Sequence, residues 1–596
     1  MRAKEGNGMR WVLGLLAALV AGWAWGEGGV VVDAATRVVL GEQDQISAKL
    51  FGITAFEGFP AAVGDPDYRA RVAALRPGCF RFGGAISWFC PDHYDPAWYD
   101  SADAARQFEE TLLYGARYAF GHFAPVVREL GAETIFSFGN PPAYLAYEDS
   151  SRPADFDKWA ETCAGFVGLW RRFDPGLKRV QIWNEPNADW FRDKRLTKEV
   201  TAAGLHIEMA NKVARAIKAR FPDILVGGPV LCWPPAWPPT QTGMAPWYTW
   251  QEWTLPWLAG TKDTVDFYDF HVYNVSPDDF AVQTEMLANQ AVLTQGRKLP
   301  VWITESNYEL PAAELDDGQA QWTKRVLPYE RLLLRGMLPQ ADKVEGNLVH
   351  DLHARSFAVL RDVDAPEPMY WLLWILRDLR GQRIVADSGD PQVVSFATAE
   401  QDRVTMVLFN DSDGAKQVPL SVSMPVGWWT GPEVRAIGRG AGGGVARLAL
   451  NPQFQRNGGV ASATVDLPPF ATISVSFRMD HFSRPGATRT VSEHFGDRTL
   501  QFIRSTEPVS VSIRAPKVGE GKAWVRVGLL GPEGDEQVAA RLNGKEVALR
   551  ATALQDILLA PGMVQEDNRL EVWLRQAVEN PKLALGFASV VTEEVK

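Results

Sequence analysis

Arg179-Val180-Gln181-Ile182-Trp183-Asn184-Glu185-Pro186-Asn187 begins as β-type sequence and turns into a polar run closed by proline. A short strand that empties into a polar turn is one unit of an alternating α/β chain. Similar units recur on both sides. Lys49–Thr54, Gly78–Phe82 and Thr134–Phe138 are strand-like segments before it, and Ile224–Gly227, Val265–His271, Pro300–Thr304 and Val344–Val349 follow. The stretches between them are helix-like. In Ala210–Arg220, for example, Ala210, Val213, Ala214 and Ile217 share one face at i, i+3, i+4, i+7 spacing. Eight such units in about 320 residues predict a (β/α)8 barrel. An open doubly wound sheet is the alternative, and neither GxGxxG nor a P-loop accompanies the strands to support it.

Beyond the barrel the periodicity changes. After Gln382, segments such as Val404–Phe409 and Thr472–Phe477 alternate with period two between Gly-, Asn-, Asp- and Pro-bearing turns, which predicts an antiparallel β-sandwich. Gly438–Gly444 reads as a loop inside it. From about residue 484 a third region ends in the strand-like Lys545–Leu549 and Arg569–Leu574, read as a second, jelly-roll-like sandwich. Val30–Ala48 also alternates and is a candidate for further strands of the first sandwich. The expected division is therefore 1–26, a signal peptide; 27–47, strands joining the first sandwich; 48–367, the catalytic barrel; 368–483, the first sandwich; and 484–596, the second.

The signal assignment rests on Arg2, Lys4 and Arg10 ahead of the apolar run Trp11–Trp25, with small residues near Gly26. That run is shorter than the ~20 residues a membrane span needs, so the expectation is a secreted or periplasmic protein with no membrane span after signal removal. The net charge of −11 argues against a nucleic-acid partner, because phosphate binding needs a basic face. Cys79, Cys90, Cys163 and Cys232 allow three fully paired connectivities, among which sequence does not choose. They form no CxxC or His/Cys cluster, so no metal and no cofactor is expected.

Barrel chemistry is carried at the C-terminal ends of strands. Three ends stand out here: Asn184-Glu185 after the fourth strand, Thr304-Glu305 after the seventh, and His271-Val272-Tyr273 after the sixth. Two carboxyl groups brought face to face, one protonated and one ionised, are what glycosidic cleavage requires. Arg81 stands in Phe80-Arg81-Phe82-Gly83-Gly84, on the second strand segment.

Asn-Glu-Pro on strand four, Thr-Glu on strand seven and His-x-Tyr between them resemble the clan A retaining glycoside hydrolases. The resemblance implies Glu185 as general acid/base, Glu305 as nucleophile, Asn184 as a ligand of the sugar 2-hydroxyl, Tyr273 or His271 as the group orienting the nucleophile, and Arg81 as the strand-two cation that keeps the nucleophile ionised. Within the clan, Leu50-Phe51-Gly52-Ile53-Thr54 and the order barrel, sandwich, sandwich look most like the agarase/porphyranase family, which implies a galactan polysaccharide as substrate. Xylosidase/iduronidase-like and heparanase-like families share the motifs; an exo-acting β-glycosidase of the xylosidase/iduronidase or glucuronidase type is the enzymatic alternative. A non-catalytic carbohydrate-binding barrel is another, though a pure binder has no need of the glutamate pair.

Sugar faces pack on indole, so Trp88 and Trp247 are the leading platform candidates, with Tyr144, Trp190, Trp233 and Trp237 behind them. Cys232–Trp253 holds many of these rings in one Pro-rich loop after strand five and is read as a cleft wall rather than a packing plug. His350 and His353, after strand eight, are open between substrate contact and a structural role.

Overall fold

The computed structural model describes residues 28–596 except 56–64, 85, 87–95, 115–119, 143–144, 148–151, 191–192, 233–248, 354–357, 363–364, 425–428, 480–485, 519–520, 532–536 and 577–582. The signal-peptide assignment and the boundary at 484 fall outside these residues. Eight parallel strands close into a barrel: β1 (Gly52–Thr54), β2 (Cys79–Gly84), β3 (Glu133–Phe138), β4 (Leu177–Gln181), β5 (Leu225–Leu231), β6 (Phe267–Phe270), β7 (Val301–Asn307) and β8 (Val344–Val349), with β8 pairing back onto β1. The expected (β/α)8 barrel is present, with strand-rich sheets C-terminal to it.

Several ends differ from the sequence reading, each for a local reason. Lys49–Phe51 is not strand: Ser47 caps a 3-10 turn over Ala48–Phe51, and β1 is confined to Gly52–Thr54. Strand β4 stops at Gln181, so Glu185 lies beyond the three irregular residues Ile182, Trp183 and Asn184 instead of at the strand tip. Val265 and Asp266 precede β6, whereas Val272–Tyr273 makes a short extra pairing with Ser306–Asn307 of β7. The helix read at Ala210–Arg220 begins earlier, at Ala202, and its predicted apolar face is fully buried.

The barrel interior is layered. Cys79, Ile135, Phe267, Trp302 and Leu348 form an apolar plug low in the barrel. Two glycines make room for its rings: a Cβ at Gly227 would lie 2.4 Å from the Phe267 ring, and one at Gly346 2.3 Å from Trp302. Below, Arg179 stacks 4.4 Å from the Trp302 centroid and pairs with Glu133 and Glu345, sealing the floor. The layer above the plug is polar and leads to the mouth.

The helix Pro368–Leu376 packs in the barrel core and against the sandwich strands Glu433–Arg439 and Thr472–Arg478. The first sandwich follows, and Gly440–Gly444 is the turn of its hairpin Glu433–Arg439/Val445–Arg447. The last region stacks the sheet holding Lys522–Leu530 and Ala584–Val595 on a four-stranded sheet, with Val511, Val527, Leu542 and Leu570 in its core. The N-terminal strand Val30–Leu40 belongs to both regions. Val30–Asp33 pairs with Gly381–Ser388 and Lys416–Ser423, and Thr36–Leu40 pairs with Ala487–Phe495. Between these halves Asp33 accepts from Ala35 N–H at 3.0 Å and from the Thr36 hydroxyl at 2.7 Å, forming the kink that lets one strand change partners. Cys79 and Cys163 are buried free thiols, and Cys90 lies outside the described residues. Among the described residues no helix is long and apolar enough to cross a membrane.

Candidate active site

The turn after β4 is held in an unusual conformation. Trp183 (φ 77°) and Glu185 (φ 51°) are left-handed, and so is Val230 (φ 58°) after β5. A left-handed non-glycine residue costs about 1–3 kcal/mol, least tolerable for a β-branched side chain. Neighbouring bonds hold these residues in place. Glu185 N–H donates to Val230 carbonyl at 2.9 Å, and Asn187 Oδ1 accepts from Cys232 N–H at 3.0 Å. Trp183 packs edge-on against Trp190 at 5.3 Å, which in turn meets His206 at 5.1 Å. Burial holds His206 down at about 3, so this ring is a neutral packing element.

The structure brings seven of the residues named from the sequence together. A ligand atom each from Glu185, His271 and Glu305 lies within 4.8 Å of the others. Glu305 Oε1 accepts from Arg81 Nη1 at 2.5 Å, and Glu305 Oε2 accepts from the Tyr273 hydroxyl at 2.7 Å. His271 Nδ1 lies 2.8 Å from Glu185 Oε1 and 3.5 Å from Glu305 Oε2. Arg81 Nη2 donates to Asn184 Oδ1 at 2.6 Å, which fixes the orientation of that amide. His350 Nδ1 stands 3.6 Å from Glu305 Oε2.

The two carboxyls differ in access and charge. The Glu185 side chain is 32% exposed and Glu305's is 10% exposed. Burial pushes Glu305 up, but His271, His350, Arg81 and the Tyr273 hydroxyl together hold it far below the usual carboxylate range. Burial lowers His271, and the negative charge of Glu305 and the bond to Glu185 override it, so its net shift is upward. Burial and the Glu305 charge both push Tyr273 up, keeping its hydroxyl a donor. Glu185, His271 and Glu305 are also the one group among the described residues whose spacing would suit a metal ion. Both Glu305 oxygens are already engaged by Arg81 and Tyr273, however, and the guanidinium sits where a cation's charge would act. The geometry suits acid–base and nucleophilic work by a carboxyl pair.

Gln181 and Asp269 were not singled out from the sequence, and Thr304 only as the neighbour of Glu305; all three sit one layer below. Their signal was available, since Gln181 alternates with apolar Val180 and Ile182 in a strand whose inward face should otherwise be apolar.

The aromatic candidates fare differently. Trp88 and Trp247, together with Tyr144, Trp233 and Trp237, lie outside the described residues. Trp190 is fully buried, as are Trp250 and Trp253 at the end of the Trp-rich loop. Trp250 packs against Val282, Met286, Leu530, Ala584 and Phe587, where a barrel helix meets the last sandwich. The reading of Cys232–Trp253 as a cleft wall is therefore corrected for its described end. From Thr249 onward the loop winds into a helical segment whose Trp250 fills the seam between domains and whose Trp253 packs against His206 in the barrel core.

No family model matches the sequence, and no curated protein does. Solved structures match in fold. BuGH86 in complex with neoagarooctaose superposes with a TM-score of 0.71 at 13% identity, covering 96% of this chain and 99% of that one. BpGH86A, a β-porphyranase of glycoside hydrolase family 86 from the human gut bacterium Bacteroides plebeius, gives 0.66 at 13% identity, covering 95% and 100%. A glucosidase from Croceicoccus marinus gives 0.51 at 15% identity, covering 76% and 99%. At these identities the likeness is one of fold, and for the first two structures it spans nearly the whole chain.

Proposed function

We propose that the chain is a retaining glycoside hydrolase acting on a linear galactan of the agarose or porphyran type. One observation carries the reaction class: Glu185 and Glu305 present carboxyl oxygens within 4.8 Å, and Glu305 is held ionised by Arg81 and His271. Carboxyls about 5–5.5 Å apart serve double displacement, whereas inversion needs roughly 6.5–9.5 Å to seat a water between them. Glu305 attacks the anomeric carbon as Glu185 passes its proton to the departing glycosidic oxygen. The glycosyl ester on Glu305 is then opened by a water that gives its proton to Glu185. Arg81 keeps Glu305 anionic until it attacks. Asn184, its Oδ1 committed to Arg81, has its amide N–H donors left for a sugar hydroxyl.

The substrate class rests on the likeness in fold to a neoagarooctaose-bound protein and a β-porphyranase. Trp88 and Trp247 are the proposed sugar platforms, on sequence grounds. The signal-like Met1–Gly26 fits a protein exported to meet a polymer.

The reading is tested by following the anomeric configuration of the first product released from agarose and from porphyran. Retention is expected, and first-formed inverted product would overturn the mechanism. Glu185→Ala should spare the glycosylation step of an activated aryl glycoside, and azide should restore its second step, which then needs no base. Equal losses on every substrate without azide rescue would remove Glu185 from the acid/base role.

A further inference from the structure

Arg81 is completely buried, and a guanidinium can only donate. Two of its nitrogens serve the mouth, Nη1 on Glu305 and Nη2 on Asn184, with Ser137 Oγ 3.3 Å from Nη2. The third, Nε, points down and donates to Gln181 Oε1 at 2.6 Å. That bond decides which way round the Gln181 amide sits. With its oxygen facing Arg81, its NH2 must face the opposite side, where it donates to Asp269 Oδ2 and, at 2.7 Å, to Thr304 Oγ1. The Thr304 hydroxyl, having accepted, donates onward to Asp269 Oδ1 at 2.9 Å. Asp269 accepts at both oxygens, so every hydrogen in the chain points from Arg81 toward this carboxylate.

We propose that Gln181 and Asp269 are positioning residues for the hydrolytic reaction: their donor–acceptor polarity fixes Arg81 so that Nη1 stays on Glu305 and Nη2 on Asn184. The inference rests on the reading of Glu305 as nucleophile and Glu185 as acid/base.

The argument is one of polarity. Were Asp269 to lose its acceptor character, the Gln181 NH2 would face a donor and the amide would turn over. It would then present NH2 to Arg81 Nε–H, two donors in contact inside a sealed layer. The guanidinium is rigid and planar, so displacing Nε tilts both nitrogens that serve the mouth. Asp269 is fully buried, and burial pushes it up to about 6 against the opposing charges of His271 and Arg81, so its ionised form depends on the chain it terminates. The groups facing it are Arg81 from β2, Gln181 from β4, Thr304 from β7, and His271 and Tyr268 near its own strand.

The test is a charge swap in the full chain. Asp269→Asn leaves one acceptor for two donors, so its NH2 must face either the Gln181 NH2 or the Thr304 hydroxyl. Gln181→Glu places a carboxylate against Asp269. Each single change breaks the polarity, while the double change restores it with the same total charge: the new carboxylate at 181 accepts from Arg81 Nε and from the new amide at 269. Release of reducing ends from agarose and porphyran is measured for all four proteins. Each single variant should lose about 100-fold in kcat with KM changed less than about threefold, and the double should recover to within roughly tenfold of wild type. Losses that multiply in the double variant, or that fall on KM instead of kcat, would overturn the positioning role. If a single variant does not fold, recovery of folding and turnover in the double supports the proposal, and failure to recover overturns it. A wild type inactive on both polymers would fail the functional reading and this inference with it; multiplying losses in an active background fail the inference alone.

Discussion

At the barrel mouth, Glu185 and Glu305 stand beside Arg81 and His271. At the seam between the barrel and the last sandwich, Glu285 and Glu493 share Lys343 and Arg526. Lys343 Nζ is 3.0 Å from Glu285 and 2.8 Å from Glu493, and Arg526 Nη1 is 3.0 Å from Glu285. Each set pairs two carboxyls with two basic groups in a low-dielectric site. At the seam, burial and the charge of Glu493 push Glu285 up, while Lys343 and Arg526 overcome burial and hold Glu493 down. By titration alone the seam would pass for an active site. Access separates the two. Glu285 is sealed at 0% exposure and Glu493 at 5%, whereas Glu185 opens to solvent. The mouth also carries left-handed Trp183, Glu185 and Val230. A perturbed carboxyl pair becomes a candidate for chemistry only where a substrate can reach it.

The sharpest way to break this comparison is Glu305→Gln. Closing the covalent route should cost several orders of magnitude in turnover, whereas Glu493→Gln should leave the rate per folded molecule alone. If Glu305→Gln kept more than about a tenth of the wild-type kcat, the mouth would have no better claim than the seam. Next in size is Lys343→Met, which strands two buried carboxyls. Unfolding free energy in a denaturant titration should drop by about 3–5 kcal/mol with kcat unchanged; a fall in kcat without loss of stability would show that the seam reaches the chemistry.

Trp250→Ala should cost roughly 3 kcal/mol in the same titration by opening a cavity at the seam. Its ratio of polymer to short-substrate activity should match wild type, and a selective loss on polymer would return Trp250 to the cleft. A further effect is on pH. With Glu285 raised to about 8, the folded state keeps a proton that the unfolded chain has released. The associated stability is present below the ordinary carboxylate value and is lost as pH rises through the folded value, at no more than about 1.4 kcal/mol per unit. Glu285→Gln should flatten the decline in Tm between about pH 5 and 8, and an unchanged slope would place its origin elsewhere.

The fold was legible because barrel strands and their helices carry strong, opposite periodicities; Val344–Val349 has the same bounds in both readings. The proposed acid/base stood out in the sequence because Glu185, a glutamate beside asparagine at a strand end, has few structural uses. What sequence did not disclose is the layer beneath. Gln181, Asp269 and Thr304 come from three strands, and their hydrogen bonds exist only after closure. Nor did it separate a buried indole from an exposed one: Trp250 sits in a loop rich in rings, and only the docking of Leu530 and Phe587 determines that it is covered. Lys49–Phe51 was read as strand on composition, and the Ser47 cap turned it into a 3-10 turn.

The strand Val30–Leu40 is made early and fastened late. Its partners are Gly381–Ser388, Lys416–Ser423 and Ala487–Phe495. At about 5–20 residues per second of synthesis, roughly 20–90 s pass between the emergence of this strand and that of its last partner. By the time that partner emerges all eight barrel strands have been made, while Thr36–Leu40 still offers unpaired N–H and carbonyl groups to any passing edge. Its pairing is closed only by residues translated after the whole barrel and most of the first sandwich.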